Sequence, residues 1–284
     1  MTFSGQLRLT KHHGAGNDFL VVLDRDDTVV LSDDVVRLLC DRRRGIGADG
    51  VMRARAGSGA AALTMELRNA DGSVAEMSGN GIRCLVQAAV EAGWVSPGVV
   101  AVATGAGLRH VEFVRHDACH GRGRVDMGRA VLGDVLGPDD LPVEVRSGLR
   151  HARLVDMGNP HVVVIGAPVD DNAFAAAGPV LERSVPGRAN VEFAWPAAGP
   201  DAFEMRVFER GVGETLACGT GSCAVAAAAH DRGLVGAVVR IDNPGGRLEV
   251  EIGADGIWLA GPTTKVADVT VDAAALCDEV QVGR

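Results

Sequence analysis

Two glycine-rich turns, each leading into an apolar helix, constrain the fold of this 284-residue chain more than any other feature. The first turn reads SGNGIRC and is followed by LVQAAVEAGWV, and the second reads CGTGSC and is followed by AVAAAAHDRGLV. A shift of 140 residues, from 79 to 219, aligns the two segments. The identical positions are Gly79/Gly219, Gly81/Gly221, Ala88/Ala228, Ala89/Ala229, Gly93/Gly233 and Val95/Val235, with Met65/Met205 in the strand ahead of each helix. One supersecondary unit therefore occurs twice, which predicts two similar halves.

Each half is expected to be a sheet wrapped around one central helix, because these two helices are apolar on most sides. Periodicity predicts two further helices, Ser32–Arg44 and Asp170–Arg183, the second interrupted at Gly178–Pro179. Short β-rich segments are predicted at Gln6–Lys11, Phe19–Asp24, Leu63–Arg68, Val99–Thr104, Leu108–His116, Arg153–Met157, His161–Ile165, Val191–Trp195, Phe203–Glu209, Val238–Asp242, Arg247–Ile252 and Gly256–Ala260. The predicted fold class is therefore α+β, with two pseudo-symmetric domains, each a mostly antiparallel sheet around a central helix, and an active site in the cleft between them.

The boundary between the halves is expected near the glycine-rich hairpin His116–Arg124. The last predicted strand, Lys265–Val271, is expected to return to the first half. The predicted domains are therefore residues 1–122 with about 267–284, and residues 123–266.

Composition excludes several classes of function. Lys and Arg number 28 against 37 Asp and Glu, a net charge of −9, which disfavours nucleic acid or an anionic membrane as a partner. Only Lys11 and Lys265 are lysines, so a pyridoxal-phosphate enzyme with a Schiff-base lysine is disfavoured, and no cofactor is expected. Six irregularly spaced cysteines, no signal-peptide core and no apolar run of ~18–20 residues predict a cytoplasmic protein with reduced thiols.

Two patterns resemble known sites but lack the required context. GIGADG at 45–50 fits G-x-G-x-x-G, yet it follows a helix and leads into the strand-like VMRARA, so a helix-terminating loop is predicted instead of a dinucleotide site. His110, His116, Cys119 and His120 fit no standard zinc spacing, and no metal site is predicted. The pattern assigns no role to His12 and His13.

Cys218 is the strongest candidate for chemistry, because Gly219-Thr220-Gly221 places its sulfur at a helix N-terminus. The open N–H groups of such a terminus favour a thiolate and bind carboxylates, so a lowered pKa is predicted for this thiol. Cys40, Cys84, Cys223 and Cys277 are interpreted as small core residues. Ser78 occupies the equivalent place in the first half. Two such helix ends facing one cleft indicate racemisation or epimerisation, in which one group removes a proton and the other donates one.

Seven segments spread over residues 12–251 resemble the diaminopimelate epimerase family: HHGAGNDF, RRGIGADG, RNADGSVAEMSGNGIRC, DMGNPHVV, NVEF, ERGVGETLACGTGSCA and NPGGRLEVE. The resemblance implies a two-domain, cofactor-independent and usually dimeric enzyme. Such an enzyme interconverts L,L- and meso-diaminopimelate for lysine and peptidoglycan synthesis, so a small amino acid and a second copy of the chain are the expected partners.

Roles follow from the same resemblance, position by position. Cys218 matches one catalytic cysteine, and His161 and Glu209 match residues that orient the reacting centre. Gly79-Asn80 and Gly219-Thr220 match the two loops that hold the reacting carboxylate. The remaining matches are substrate contacts: Asn17, Asn69, Asn159, Asn190 and Arg210. A guanidinium group pairs bidentately with a carboxylate, which suits Arg210 to this role.

Ser78 departs from the family pattern, which has its second catalytic cysteine at this position. A hydroxyl is a much weaker acid than a thiol and needs an activating partner. The sequence leaves open an engineered replacement of cysteine, a natural variant with an activated serine, a homologue with different chemistry, or a binding protein without turnover. Other functions left open are a related racemase, epimerase or dehydratase acting on a substrate such as a proline derivative, and a cysteine hydrolase that uses Cys218 with His161 and Asn159.

Overall fold

The computed structural model describes residues 5–272, so Cys277 lies outside the described part. The described residues divide into two compact units, unit 1 with residues 5–125 and 262–272, and unit 2 with residues 126–261. The predicted domain limits, at about 122 and 266, stay a prediction. No helix between residues 5 and 272 is long and apolar enough to cross a membrane.

Unit 1 is built from seven strands and two helices before the chain first leaves it: β1 (Gln6–Gly14), β2 (Asn17–Leu23), α1 (Asp33–Cys40), β3 (Gly50–Ala56), β4 (Leu63–Asn69), β5 (Val74–Ala75), α2 (Gly79–Glu91), β6 (Gly98–Thr104) and β7 (Gly107–Arg115). The next strand, β8 (His120–Gly128), carries the chain into unit 2.

Unit 2 repeats the pattern with β9 (Val131–Val135), β10 (His151–Asp156), β11 (Pro160–Ile165), α3 (Asp171–Glu182), β12 (Asn190–Pro196), β13 (Ala202–Glu209), β14 (Gly213–Thr215), α4 (Gly219–Asp231), β15 (Val238–Asn243) and β16 (Gly246–Ile252). Short 3-10 turns lie at Pro138–Asp140 and Val143–Val145. Strand β17 (Ile257–Asp272) pairs with β16 and then returns to unit 1, where it pairs with β1, as predicted for Lys265–Val271.

Both units carry a mostly antiparallel sheet, as predicted. Unit 1 has the strand order β17-β1-β2-β3-β4-β6-β7-β8, and unit 2 has the order β9-β10-β11-β12-β13-β15-β16-β17. The parallel pairs are equivalent, β2/β3 and β4/β6 in unit 1 and β11/β12 and β13/β15 in unit 2. The series of ten elements from β1 to β8 therefore recurs from β10 to β17, which confirms the predicted repeat and extends it over each unit.

Helices α2 and α4 are the buried centres of their units. Every residue from Gly79 to Val90 of α2 is buried, and α4 is buried along nearly all of its length. Helix α2 packs against β1 and β2 and also against β7, near the two ends of the unit 1 strand order, so the sheet curves around the helix. Both helices stop at a glycine with positive φ, Gly93 at 70° and Gly233 at 73°, a conformation that costs glycine little.

Helix α1 is shorter than predicted. Ser32 caps its N-terminus as expected, but the helix ends at Cys40 and not at Arg44. The carboxylate of Asp41 accepts hydrogen bonds from the N–H groups of Arg43 and Arg44 at 2.7 and 2.8 Å. This local turn competes with further helix, which is the usual effect of aspartate near a helix end.

Helix α3 runs through Gly178–Pro179, where an interruption was predicted. The proline removes one N–H donor, but packing at the neighbouring glycine compensates for it. A Cβ atom on Gly178 would lie 2.7 Å from the ring of Phe208, so the glycine allows α3 to pack directly against β13.

Strand β8 was predicted only as one arm of the hairpin that ends at Arg124. It continues to Gly128 and pairs with β7. Glycines weaken a strand prediction, yet here they provide space, because a Cβ on Gly121 would lie 2.4 Å from the Phe113 ring and one on Gly123 would lie 2.8 Å from Arg83.

We therefore expect Gly121→Ala to lower the free energy of unfolding by about 1–3 kcal/mol, because the new methyl group overlaps the buried Phe113 ring. Gly137→Ala is the control, since its nearest neighbour would lie at 3.5 Å and its φ of −82° suits alanine. Chemical denaturation of both variants measures the difference. Equal stability of the two variants would contradict this account of the glycines in β8.

Candidate functional site

Cys218 lies at the N-terminal end of α4, where it is the N-cap residue. Its backbone is extended, with φ −121° and ψ 117°, and its sulfur accepts a hydrogen bond from the Gly221 N–H at 3.4 Å. The Thr220 hydroxyl lies 3.5 Å from the same sulfur. The residue is only 7% exposed. The sulfur therefore takes the place that a serine or aspartate oxygen usually has at a helix N-terminus.

Two buried side chains continue from this helix end into the sheet. His161 on β11 places Nδ1 at 2.7 Å from Oε1 of Glu192 on β12, and its Nε2 lies 3.1 Å from Asn159 Oδ1. The Asn159 amide reaches the Thr220 hydroxyl at 3.5 Å. A chain of polar contacts thus links Glu192, His161, Asn159 and Thr220 to Cys218.

The end of β13 contributes Glu209 and Arg210. The Thr215 hydroxyl donates to Glu209 Oε1 at 2.5 Å. The Arg210 N–H donates to Asn190 Oδ1 at 2.9 Å, and its exposed guanidinium group donates to the Gly187 carbonyl at 3.3 Å. The structure thereby joins Arg210 and Asn190, two of the residues predicted to contact substrate.

The prediction of a lowered pKa for Cys218 is wrong. Burial raises the pKa of this thiol well above its usual range, and the carboxylates of Glu209 and Glu192 raise it further. Hydrogen bonds with Thr220 and the Gly221 N–H act in the opposite direction but are outweighed. Cys218 is therefore a neutral thiol at neutral pH, because removing water and adding two negative charges disfavours the thiolate more than the helix end favours it.

Ser78 occupies the equivalent place at the N-terminus of α2. It is the N-cap residue, with φ −138° and ψ 123°, and its hydroxyl oxygen accepts a hydrogen bond from the Gly81 N–H at 3.0 Å. The two helix ends therefore share one backbone geometry and one capping pattern.

The side chains behind the two helix ends differ. The shift of 140 residues places Met52 on β3 where unit 2 has Glu192, and Asn69 on β4 where unit 2 has Glu209. A Cβ on Gly81 would lie 3.0 Å from the Met52 sulfur, just as one on Gly221 would lie 2.5 Å from Glu192 Oε1. Among the described residues of unit 1, neither of these positions supplies a carboxylate to Ser78.

Unit 1 instead holds a chain of hydrogen bonds through two candidate substrate contacts. Arg83 donates to Asn80 Oδ1 at 2.7 Å, Asn80 donates to Asn17 Oδ1 at 3.4 Å, and Asn17 donates to Asp49 Oδ2 at 2.7 Å. A guanidinium group can only donate and a carboxylate can only accept, so the charged ends fix which way both amides point. One N–H and one oxygen lone pair of Asn17 stay available to a ligand.

The glycine-rich loop GIGADG at 45–50 holds Asp49 in this chain. It follows α1 and leads into β3, which confirms the predicted helix-terminating loop. Arg42 donates to both Asp18 and Asp49, and Lys11 pairs with Asp18 at 3.0 Å. Burial alone would raise the pKa of Asp18, but Arg42 and Lys11 hold it below its ordinary value. These ion pairs anchor the loop to the start of β2.

Some predicted residues are not joined to these groups by a direct contact. The Asn69 amide donates to the Ser73 hydroxyl within its own turn.

The sequence did not single out Glu192, Asp49 and Arg83, although each lies within one of the seven segments that resemble the family. Only the folded chain places them beside the candidate residues. Residues 5–272 contain no cluster of three or more His, Cys, Asp or Glu side chains that could hold a metal ion.

Comparison with known sequences decides the family. The sequence model described as "Diaminopimelate epimerase" matches residues 9–133 and 153–266. The chain belongs to the diaminopimelate epimerase family. A diaminopimelate epimerase from Corynebacterium glutamicum is 40% identical over 271 residues, covering 90% of this chain and 95% of the relative. One from Desulforudis audaxviator is 41% identical over 280 residues, covering 92% and 98%.

Solved structures share the fold of this family member at low sequence identity. A probable proline racemase from Agrobacterium radiobacter has a TM-score of 0.73 at 20% identity, with 95% of each chain covered. A hydroxyproline epimerase from Agrobacterium vitis has a TM-score of 0.71 at 17% identity, covering 96% of this chain and 94% of the other. These similarities concern the fold alone.

The raised pKa of Cys218 predicts slow alkylation at pH 7, because only the thiolate attacks iodoacetamide. We expect the exposed Cys119 to be labelled before Cys218, and labelling of Cys218 to accelerate as the pH rises above 9. Peptide mapping by mass spectrometry follows each cysteine separately. Labelling of Cys218 ahead of Cys119 at pH 7 would restore the thiolate that the sequence predicted.

Proposed function

We propose that this chain is a diaminopimelate epimerase that interconverts L,L- and meso-diaminopimelate without a cofactor. The observation that carries the proposal is the position of the Cys218 thiol at the N-terminus of α4. Glu209 acts on this thiol by its charge, and His161 is linked to it through Asn159 and Thr220. The same helix-end geometry recurs at Ser78. The identity of about 40% to diaminopimelate epimerases over most of the chain favours this substrate over a proline derivative.

Cys218 acts as the acid and base on one face of the reacting carbon. When the group on the opposite face has removed the α-proton, the neutral thiol donates its own proton to the carbanion and becomes a thiolate. In the reverse direction this thiolate removes the α-proton and the group on the opposite face returns one. The buried position of Cys218 keeps water away from the carbanion. Glu209 and His161 orient the reacting centre. His161 belongs to the chain of polar contacts that reaches Cys218, and the charge of Glu209 acts on the same thiol.

The carboxylate next to the reacting carbon binds at the helix N-termini. Gly79-Asn80 and Gly219-Thr220 start α2 and α4, whose first N–H groups have no partner within the helix. Such groups bind anions and stabilise the negative charge that develops when the α-proton leaves. Donors already fixed by a buried helix need no reorganisation during the reaction.

The distal amino acid centre is bound by Asn17, Asn69, Asn159, Asn190 and Arg210. The exposed guanidinium group of Arg210 can form two parallel hydrogen bonds with the distal carboxylate. The chain from Arg83 to Asp49 fixes Asn17 and Asn80 in one amide orientation, so both present defined donors and acceptors to the substrate. The proposal includes a homodimer in the cytoplasm, on the strength of the family resemblance.

Ser78 is the weaker member of the pair. In the described part of unit 1 its hydroxyl contacts the Gly81 N–H, and no carboxylate or imidazole of that unit activates it. A hydroxyl without a base nearby removes protons poorly. We therefore assign Ser78 to the second face of the carbon with much lower competence than a cysteine would have there.

The activity is tested by incubating the pure protein with L,L-diaminopimelate and separating the stereoisomers by chiral chromatography. The proposal expects meso-diaminopimelate to form slowly with the chain as it stands, and rapidly with Ser78→Cys. Absence of conversion by both proteins would contradict the proposed function.

Ser78→Cys is expected to raise the rate of epimerisation by several powers of ten, each corresponding to about 1.36 kcal/mol of barrier. The reason is that a thiol at this helix end supplies the missing base. Ser58→Cys, which adds a thiol at an exposed site, is the control and should leave the rate unchanged. A parent enzyme with a turnover of roughly 1–10³ per second and no gain from Ser78→Cys would show that the serine is itself activated.

A further inference from the structure

Glu192 is a fully buried carboxylate that the proposed mechanism does not use. Its side chain has no exposed surface, and His161 Nδ1 contacts one of its oxygens, Oε1. The other oxygen, Oε2, has no hydrogen-bond partner among the residues that the structure describes. Burying a charge with one oxygen unsatisfied is energetically unfavourable. A carboxylate at this position therefore calls for a reason beyond packing.

Its position relative to α4 is defined by a close approach. A Cβ on Gly221 would lie 2.5 Å from Glu192 Oε1, so only glycine leaves room for the carboxylate under the first helical turn. Gly221 is also the residue whose N–H donates to the Cys218 sulfur. Glu192 thus lies against the same turn that holds the thiol.

The equivalent position in unit 1 shows that the fold does not need this charge. Met52 lies there, against Gly81 in the first turn of α2, and it is completely buried. A methionine fills the space without any cost of desolvation. The carboxylate is therefore specific to the unit whose helix begins with cysteine.

We propose that Glu192 is a positioning residue for the acid/base site at Cys218: its carboxylate fixes the orientation of the His161 ring and places a negative charge beside the thiol. A carboxylate accepts hydrogen bonds, so His161 Nδ1 is the donor to Glu192, and Nε2 on the other side of the ring lies 3.1 Å from Asn159 Oδ1. The groups that act on the thiol are then Glu192 on β12, Glu209 on β13 and the Thr220 hydroxyl on α4. His161 on β11 is linked to the thiol through Asn159 and Thr220. Of these, the two carboxylates favour the protonated thiol.

Glu192→Gln separates the charge from the hydrogen bond, because the amide oxygen can still accept from His161 Nδ1. We expect the rate of Cys218 alkylation by iodoacetamide at pH 7 to rise about tenfold, since loss of one nearby like charge shifts a pKa by about one unit. Buried Cys223 on the same helix is the internal control. An unchanged rate at Cys218, or an equal rise at Cys223 that reports loosened packing, would overturn the electrostatic part of the proposal.

Glu192→Asp tests the orienting part, because it keeps the charge but withdraws it from His161 by one methylene group. Alkylation of Cys218 should stay within about threefold of the parent rate. Epimerisation is compared between Ser78→Cys and the double variant Ser78→Cys/Glu192→Asp, and kcat is expected to fall at least tenfold in the double variant with little change in KM. Glu204→Gln, an exposed carboxylate on β13, should leave both rates unchanged. Unaltered turnover in Glu192→Asp would overturn this part.

The turnover measurement rests on the proposed function, whereas the alkylation measurement does not. If the chain proves to have no epimerase activity, the alkylation rates of Glu192→Gln still decide whether this carboxylate controls the thiol. If alkylation is unaffected while epimerisation proceeds, the inference about the charge fails and the proposed function stands.

Discussion

The N-terminus of a buried helix is the element on which the rest of this structure depends. At the start of α4 the Cys218 sulfur accepts a hydrogen bond from the Gly221 N–H, and nearby N–H groups of the first turn stay without intrahelical partners. An N–H group without a partner is costly in a closed core, so this helix end requires polar groups around it. Gly221 in the first turn leaves room for the Glu192 carboxylate, since a Cβ there would lie 2.5 Å from Glu192 Oε1.

The two copies of this arrangement share a backbone geometry but carry different side chains. Helices α2 and α4 start with the same capping geometry and stop at equivalent glycines with positive φ. Glu192 and Glu209 act on the thiol at the start of α4. The equivalent positions of unit 1 hold Met52 and Asn69. The carboxylates that act on a helix-end side chain are therefore found in unit 2 among the described residues. Unit 1 contributes hydrogen bonds of fixed direction, from Arg83 through Asn80 and Asn17 to Asp49.

The repeat and the positions of most strands could be predicted because they depend on local patterns of glycine and apolar residues. Strand β8 was only partly predicted, since Gly121 and Gly123 are typical of turns and only the folded chain shows that they accommodate Phe113 and Arg83. The prediction of a lowered pKa for Cys218 was wrong for a related reason. The helix end is visible in CGTG, but the burial of the thiol and the approach of Glu209 and Glu192 from β13 and β12 depend on tertiary structure. Contacts distant in sequence also determine the directions of the Asn17 and Asn80 amides.

The central claim is that the competent acid/base group belongs to unit 2 and that Ser78 is its impaired counterpart. The most direct measurement follows deuterium at the reacting α-carbon when the parent protein is incubated separately with L,L- and meso-diaminopimelate in D₂O. The account predicts that one of the two stereoisomers takes up deuterium faster than it inverts, because the Cys218 thiolate, the minor form at neutral pH, can remove a proton and return a deuteron on its own face. Uptake no faster than inversion for both stereoisomers would contradict it, since two equally competent groups would then act on the two faces.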